Sequence, residues 1–211
     1  MSQLIFDFDG TIADSFWLAV EIFKHLAKGK HPTDAAEIER LRRLSAREIA
    51  KRLGLRWWQI PRLAAKGRVL FGERMQEVQP IAGIVPVLKE LHRQGHQLAV
   101  VSTNGTHNIA QFLQTNGIRD CFGEIHGDIG LFAKPKTIKK IARAASVPQD
   151  CYYIGDEVRD IEAARKARVP CISVAWGYNH LVALQRCHPE VLLRQPEELR
   201  EFFAQKNQSQ S

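Results

Sequence analysis

No run in this 211-residue chain approaches the roughly 18 uncharged apolar residues that a membrane span requires. A protein built around transmembrane helices is therefore not expected. The first residues, MSQLIFDF, carry no basic segment ahead of the apolar ones, and Asp7 interrupts that run almost at once, so a secretory signal is not expected either. Cysteine is scarce. Cys121, Cys151, Cys171 and Cys187 are widely spaced, form no CxxC pair and have no histidine at zinc-ligand spacing, which excludes a zinc frame or a disulfide scaffold and implies reduced thiols in a cytoplasm. Three of them begin apparent strands and read as small buried hydrophobes. Internal repeats are absent. The hydrophobic share of 45% is ordinary, and the length suffices for one good core with a smaller accessory unit.

Charge of one sign is unevenly placed. Residues 15–80 hold 14 Lys or Arg against 7 Asp or Glu, whereas the rest of the chain holds 16 of each, so this one segment carries the whole net charge of +7. A concentrated positive field steers anions, which predicts an anionic partner without naming it. The same residues could equally form a solvated basic surface.

Outside residues 15–80, short apolar runs alternate with helical patterns. The runs are Leu4 to Phe8, Gln97 to Ser102, Cys121 to His126, Cys151 to Ile154 and Cys171 to Ala175; the helical segments are Val85 to Arg93, His107 to Thr115, Lys136 to Ala145, Val158 to Ala167 and Glu197 to Phe203. This βα alternation predicts an α/β, doubly wound, Rossmann-like fold with a five-stranded, mainly parallel sheet covered on both faces. Residues 15–80 show helix punctuation instead. Asp34 with Glu37 and Ser45 with Glu48 fit capping-box spacing, and Pro61 and Pro80 mark breaks. The expected organisation is a catalytic core of residues 1–14 and 81–205, an inserted all-helical cap of residues 15–80, and a disordered tail over 206–211.

The stretch LIFDFDGT places two carboxylates, Asp7 and Asp9, one residue apart at the end of an apolar run. A side-chain period of two would point both the same way. Two carboxylates about 4 Å apart repel by roughly 4 kcal/mol at an effective dielectric near 20. A shared proton or a bound divalent cation would offset that repulsion, unless the strand ends at Phe6 and the aspartates only cap a turn. The other strand ends bear on the choice, because ligands in doubly wound sheets bind there. The second run ends in Ser102, Thr103 and Asn104 ahead of a helix start, a natural phosphate cradle. The third is followed by Lys134 and Pro135. The fourth ends in Gly155, Asp156 and Glu157, with Asp160 four residues after Asp156. Any one of these is common; four in this order, each after its own strand, are specific.

On DFDGT, VVSTN, Lys134 in AKPK, GDEVRD and the VAWGY ending of the fifth strand, the chain resembles the haloacid dehalogenase-like hydrolase superfamily over nearly its whole length. It looks most like the subgroup with a helical cap inserted between the first two motifs, which includes phosphoglycolate phosphatase and β-phosphoglucomutase. The resemblance implies that Asp7 is the nucleophile of an aspartyl-phosphate mechanism and that Asp9 is the general acid and then the base. It implies Mg2+ held by Asp7, Asp156 and the backbone carbonyl of Asp9. Ser102, Thr103, Asn104 and Lys134 would bind the phosphoryl group, and Thr11, Glu157 and Asp160 would support these residues from behind. Arg42, Arg43 and Arg47 are candidates for reading the leaving group from the cap. The expected partner is a small anionic phosphorylated substrate, for a monomer or homodimer that engages neither membrane nor nucleic acid. A phosphomutase on the same scaffold, a non-catalytic binding module and a phosphatase of nucleic-acid ends are the rival readings.

Overall fold

A computed structural model describes residues 1–26, 34–130, 132–145 and 150–208. The chain opens with β1 (Gln3–Phe6) and β2 (Ala13–Asp14), then enters four helices: α1 (Phe16–Leu26), α2 (Ala35–Arg42), α3 (Ala46–Arg52) and α4 (Ile60–Glu73). It returns through β3 (Gln79–Pro80) and α5 (Ile84–Arg93) and then alternates: β4 (Gln97–Val101), α6 (Thr106–Thr115), β5 (Phe122–His126), α7 (Lys134–Ala144), β6 (Cys151–Gly155), α8 (Val158–Ala167), β7 (Cys171–Val174), α9 (Leu181–Gln185), β8 (Val191–Leu193) and α10 (Glu197–Gln208). Among the described residues, no helix is long and apolar enough to cross a membrane.

The main sheet is parallel, in the order β5-β4-β1-β6-β7-β8. Six strands stand where five were expected. The additional one, β8, has only three residues between Pro189 and Arg194, too few for a visible alternation, and it exists because it pairs with β7. Strand β1 lies in the middle, and its alternating side chains feed two separate cores. Leu4 and Phe6 pack with Leu88 of α5, Phe112 of α6 and Phe203 of α10, whereas Ile5 packs with Ile138 of α7, Ile161 of α8 and Tyr153. Each face of the sheet therefore buries its own set of helices, as a doubly wound sheet must.

The helical segment is attached by a two-stranded antiparallel ribbon that pairs Ala13 with Pro80 and Asp14 with Gln79. Helices α2 and α3 begin where local chemistry satisfies the first free amides. Asp34 accepts from the Glu37 amide at 2.7 Å, and Ser45 and Glu48 form a reciprocal capping box. Helix α10 runs to Gln208, so residues 206–208 of the expected disordered tail are helical, while 209–211 lie outside the described residues.

Phe203 is fully buried, with its ring 5.0 Å from His96 and 5.5 Å from Tyr152. Phe203→Ala should cost about 3–5 kcal/mol and lower the urea midpoint, and Phe202→Ala, on the half-buried neighbour, should cost clearly less. Equal losses would show that α10 does not seal this core.

Candidate active site

Strand β1 ends at Phe6, two residues sooner than the apolar run suggested. The Asp7 amide still donates to the Ile154 carbonyl at 2.8 Å, which keeps Asp7 at the sheet edge, and Phe8 turns inward. Gly10 follows at φ +76, where a Cβ would fall on the Asp156 carboxylate and the Tyr178 ring. The turn brings the first motif against the fourth. It also parts Asp7 from Asp9, which are held by different partners rather than pressed together.

Asp7 is nearly inaccessible and accepts from Lys134 Nζ at 2.8 Å and from the Phe8 amide at 2.8 Å. Lys134, the first residue of α7, also donates to Asp160 at 2.7 Å. Asp160 is already occupied: Tyr153 Oη shares the oxygen that takes Lys134, and the Glu157 amide donates to the other at 3.0 Å. Asp156 accepts from Thr11 Oγ1 at 2.7 Å and from the Tyr178 amide at 2.6 Å. Thr11 thus supports Asp156 directly. Asp9 is held by Ser15 Oγ at 2.9 Å and by the Asn104 amide at 3.1 and 3.2 Å. Asn104 spends its donor on Asp9, while buried Ser102 accepts from the Asn104 backbone amide at 3.1 Å. Glu157 is ion-paired to Arg159 at 2.5 Å.

Burial pushes the Asp7 carboxyl up to about 7, against the opposing pull of Lys134. It also raises Asp9, with the hydrogen bonds from Ser15 and Asn104 acting the other way. Asp156 is raised well above the usual carboxylate range, through burial and then through the neighbouring Glu157, Asp160 and Asp7. Burial would raise Asp160 too, but Lys134 and Arg159 outweigh it and hold its carboxyl below the usual range. One oxygen each from Asp7, Asp156 and Asp160 lies within 4.8 Å of the others. Asp156 is fully buried with only neutral donors on it, so this excess of negative charge fits a hard divalent cation with oxygen ligands. Asp7 and Asp156 each accept two hydrogen bonds and keep more unused lone pairs than Asp160, which accepts three, from Lys134, Tyr153 and Glu157.

Beside these groups opens a cavity of about 480 Å3, lined by Asp9, Thr103, Asn104, Arg159 and Tyr178 on the core side. None of Arg42, Arg43 and Arg47 lines it; the cap residue that does so with a positive charge is Arg68. Arg42 donates instead to the carbonyls of Gly177 at 2.7 Å and Tyr178 at 3.0 Å, and lies over the Phe16 ring, fastening α2 to the loop after β7. Arg43 and Arg47 point to solvent. Sequence reasoning missed Ser15, Arg159 and Tyr178. All three sit in or beside quoted motifs, so proximity to DGT, GDEVRD and the VAWGY ending was the available signal.

A model of the haloacid dehalogenase-like hydrolase family matches residues 4–174. The chain is similar to a phosphoglycolate phosphatase of Synechococcus elongatus, 33% identical over 208 residues that cover 97% of this chain and 98% of the relative. A phosphoglycolate phosphatase of Agrobacterium fabrum is 32% identical over 203 residues, covering 90% and 86%. Among solved structures, a hydrolase from Pseudomonas syringae superposes with a TM-score of 0.74 at 20% identity, covering 97% of this chain and 99% of that one.

The acidic cluster generates a thermodynamic prediction. MgCl2 at about 100 times its dissociation constant should add about 2.7 kcal/mol of stability, read as a rise in melting temperature. Asp156→Asn should remove that rise, because it takes away the carboxylate whose hydrogen bonds come from a hydroxyl and an amide rather than from a cationic side chain. A wild-type melting temperature indifferent to Mg2+ would refute the cation assignment.

Proposed function

The chain belongs to the haloacid dehalogenase-like hydrolase family and is a phosphatase within it, and we propose that it hydrolyses a small phosphorylated metabolite through an aspartyl-phosphate on Asp7, with Mg2+ as cofactor. The observation that carries this is the division of labour between the two aspartates. Asp7 sits in the acidic cluster against Lys134, while Asp9 is held apart from it by Ser15 and Asn104 at the wall of the cavity. The four cysteines are free, which supports a reducing, cytoplasmic setting.

Asp7 and Asp156 would hold the metal, with the Asp9 carbonyl completing the protein's share. When bound, Mg2+ would neutralise the charge that phosphate and aspartates bring together. An oxygen of Asp7 attacks phosphorus, the bond to the ester oxygen breaks, and Asp9 passes its proton to the departing oxygen. The raised pKa of Asp9 favours the protonated form that this step needs. Water then attacks the phosphorus, Asp9 takes the proton back from it, and the bond between Asp7 and phosphorus breaks to release inorganic phosphate. Lys134 has three N–H donors and spends two on Asp7 and Asp160, which leaves one for a phosphoryl oxygen. Ser102 supplies a hydroxyl opposite.

Asp7→Asn should abolish Mg2+-dependent phosphate release from alkyl phosphates, measured without any bisphosphate activator. Asp9→Asn should lower the rate about 10²–10⁴-fold. With 4-nitrophenyl phosphate, whose leaving group needs little proton assistance, the Asp9 variant should still give a burst of 4-nitrophenol while the aspartyl-phosphate accumulates. Full steady-state activity of Asp7→Asn would end this mechanism.

A further inference from the structure

The wall that residues 15–80 present to the cavity beside Asp9 is mostly hydrocarbon. The cap walls it with Ile22 and Phe23 of α1 and Leu63 and Phe71 of α4, and Phe132, on the loop before α7, lines it while remaining 95% exposed. Among the described residues that line it, the charged ones are Asp9, Arg68 and Arg159, and Arg159 is already paired with Glu157. Gly67 leaves further room. A Cβ there would meet nothing closer than Ile22 at 3.9 Å and Leu26 at 4.0 Å.

Because Asp9 must reach the ester oxygen, and Asp9 lines this cavity, whatever is attached to that oxygen lies inside it. A sugar would turn some of its hydroxyls toward Ile22, Phe23, Leu63 and Phe71, which cannot pair them, and each one left without a partner is unfavourable. An apolar body is favoured there by the water it releases. Glycolate would leave most of the volume unfilled. We propose that this cavity is the leaving-group pocket and that its substrate class is phosphomonoesters of alcohols with an apolar body, arylalkyl or branched alkyl, an inference that rests on the phosphatase reading above.

The test compares ethyl phosphate with 2-phenylethyl phosphate, two alkyl esters of similar leaving-group chemistry that differ in apolar body, with 2-phosphoglycolate as the compact anionic alternative. For the Mg2+-loaded protein, kcat/KM should be at least about tenfold higher for 2-phenylethyl phosphate than for ethyl phosphate, and higher than for 2-phosphoglycolate. Gly67→Leu, which fills the space between α1 and α4, should collapse the ratio of the two alkyl esters toward one. A wild-type ratio near one, or a tenfold preference for 2-phosphoglycolate, overturns the proposal. Calorimetric binding supplies a readout independent of turnover: 2-phenylethylphosphonate should bind at least about tenfold more tightly than ethylphosphonate, and equal affinities overturn the pocket assignment. If no phosphate is released from any ester, acetyl phosphate included, by folded protein that binds Mg2+, the phosphatase reading itself falls and this proposal with it, a result distinct from turnover without preference.

Discussion

Asp7, Asp156 and Asp160 are buried together around Lys134, with Arg159 as a second positive charge acting on them, and the cost of charge there constrains the rest of the site. Removing ionised carboxylates from water is expensive unless each finds a counter-charge or strong donors. Lys134 serves Asp7 and Asp160 together, which accounts for its near-complete burial and for its own raised pKa: burial alone would lower it, but the two aspartates prevail. Asp156 receives only a hydroxyl and an amide. The imbalance at Asp156 fits a cluster that could hold a cation better than it fits a closed network of ion pairs. It also constrains the backbone around it, since a Cβ on Gly10 or on Gly177 would fall on the Asp156 side chain.

What could be read without coordinates follows from how local each signal is. The strand tips were legible because apolar runs and turn formers are contiguous in the chain, and because four such tips must converge on one edge of a parallel sheet. The cap helices announced themselves through Asp34 and Ser45, whose partners lie three residues away. Strand β8 was not legible, since its three residues make a strand only by pairing with β7. Arg42 misled for the same reason: the carbonyls it holds belong to residues 177 and 178, and nothing near position 42 records them. Tyr178 supports Asp156 through its backbone amide, a role no side-chain pattern can encode.

The positive charge of residues 15–80 and the surface they present to the cavity are separate things. Residues 15–80 carry the entire surplus of basic side chains, yet Arg43 and Arg47 face solvent and Arg42 is consumed in fastening α2. The cavity wall that the same segment presents to Asp9 is hydrocarbon, relieved by Arg68. The exposed surplus would act at a distance, steering anions in a manner that salt weakens, while under the proposal above the inner wall sets which of them fit. An apolar lining would keep the local dielectric low, which under the proposed mechanism would strengthen the pull of Lys134 on an arriving phosphoryl group, while burial already favours the protonated form of Asp9. Under the proposed mechanism, the same lack of polarity that would select the leaving group would also prepare Asp9 to protonate it.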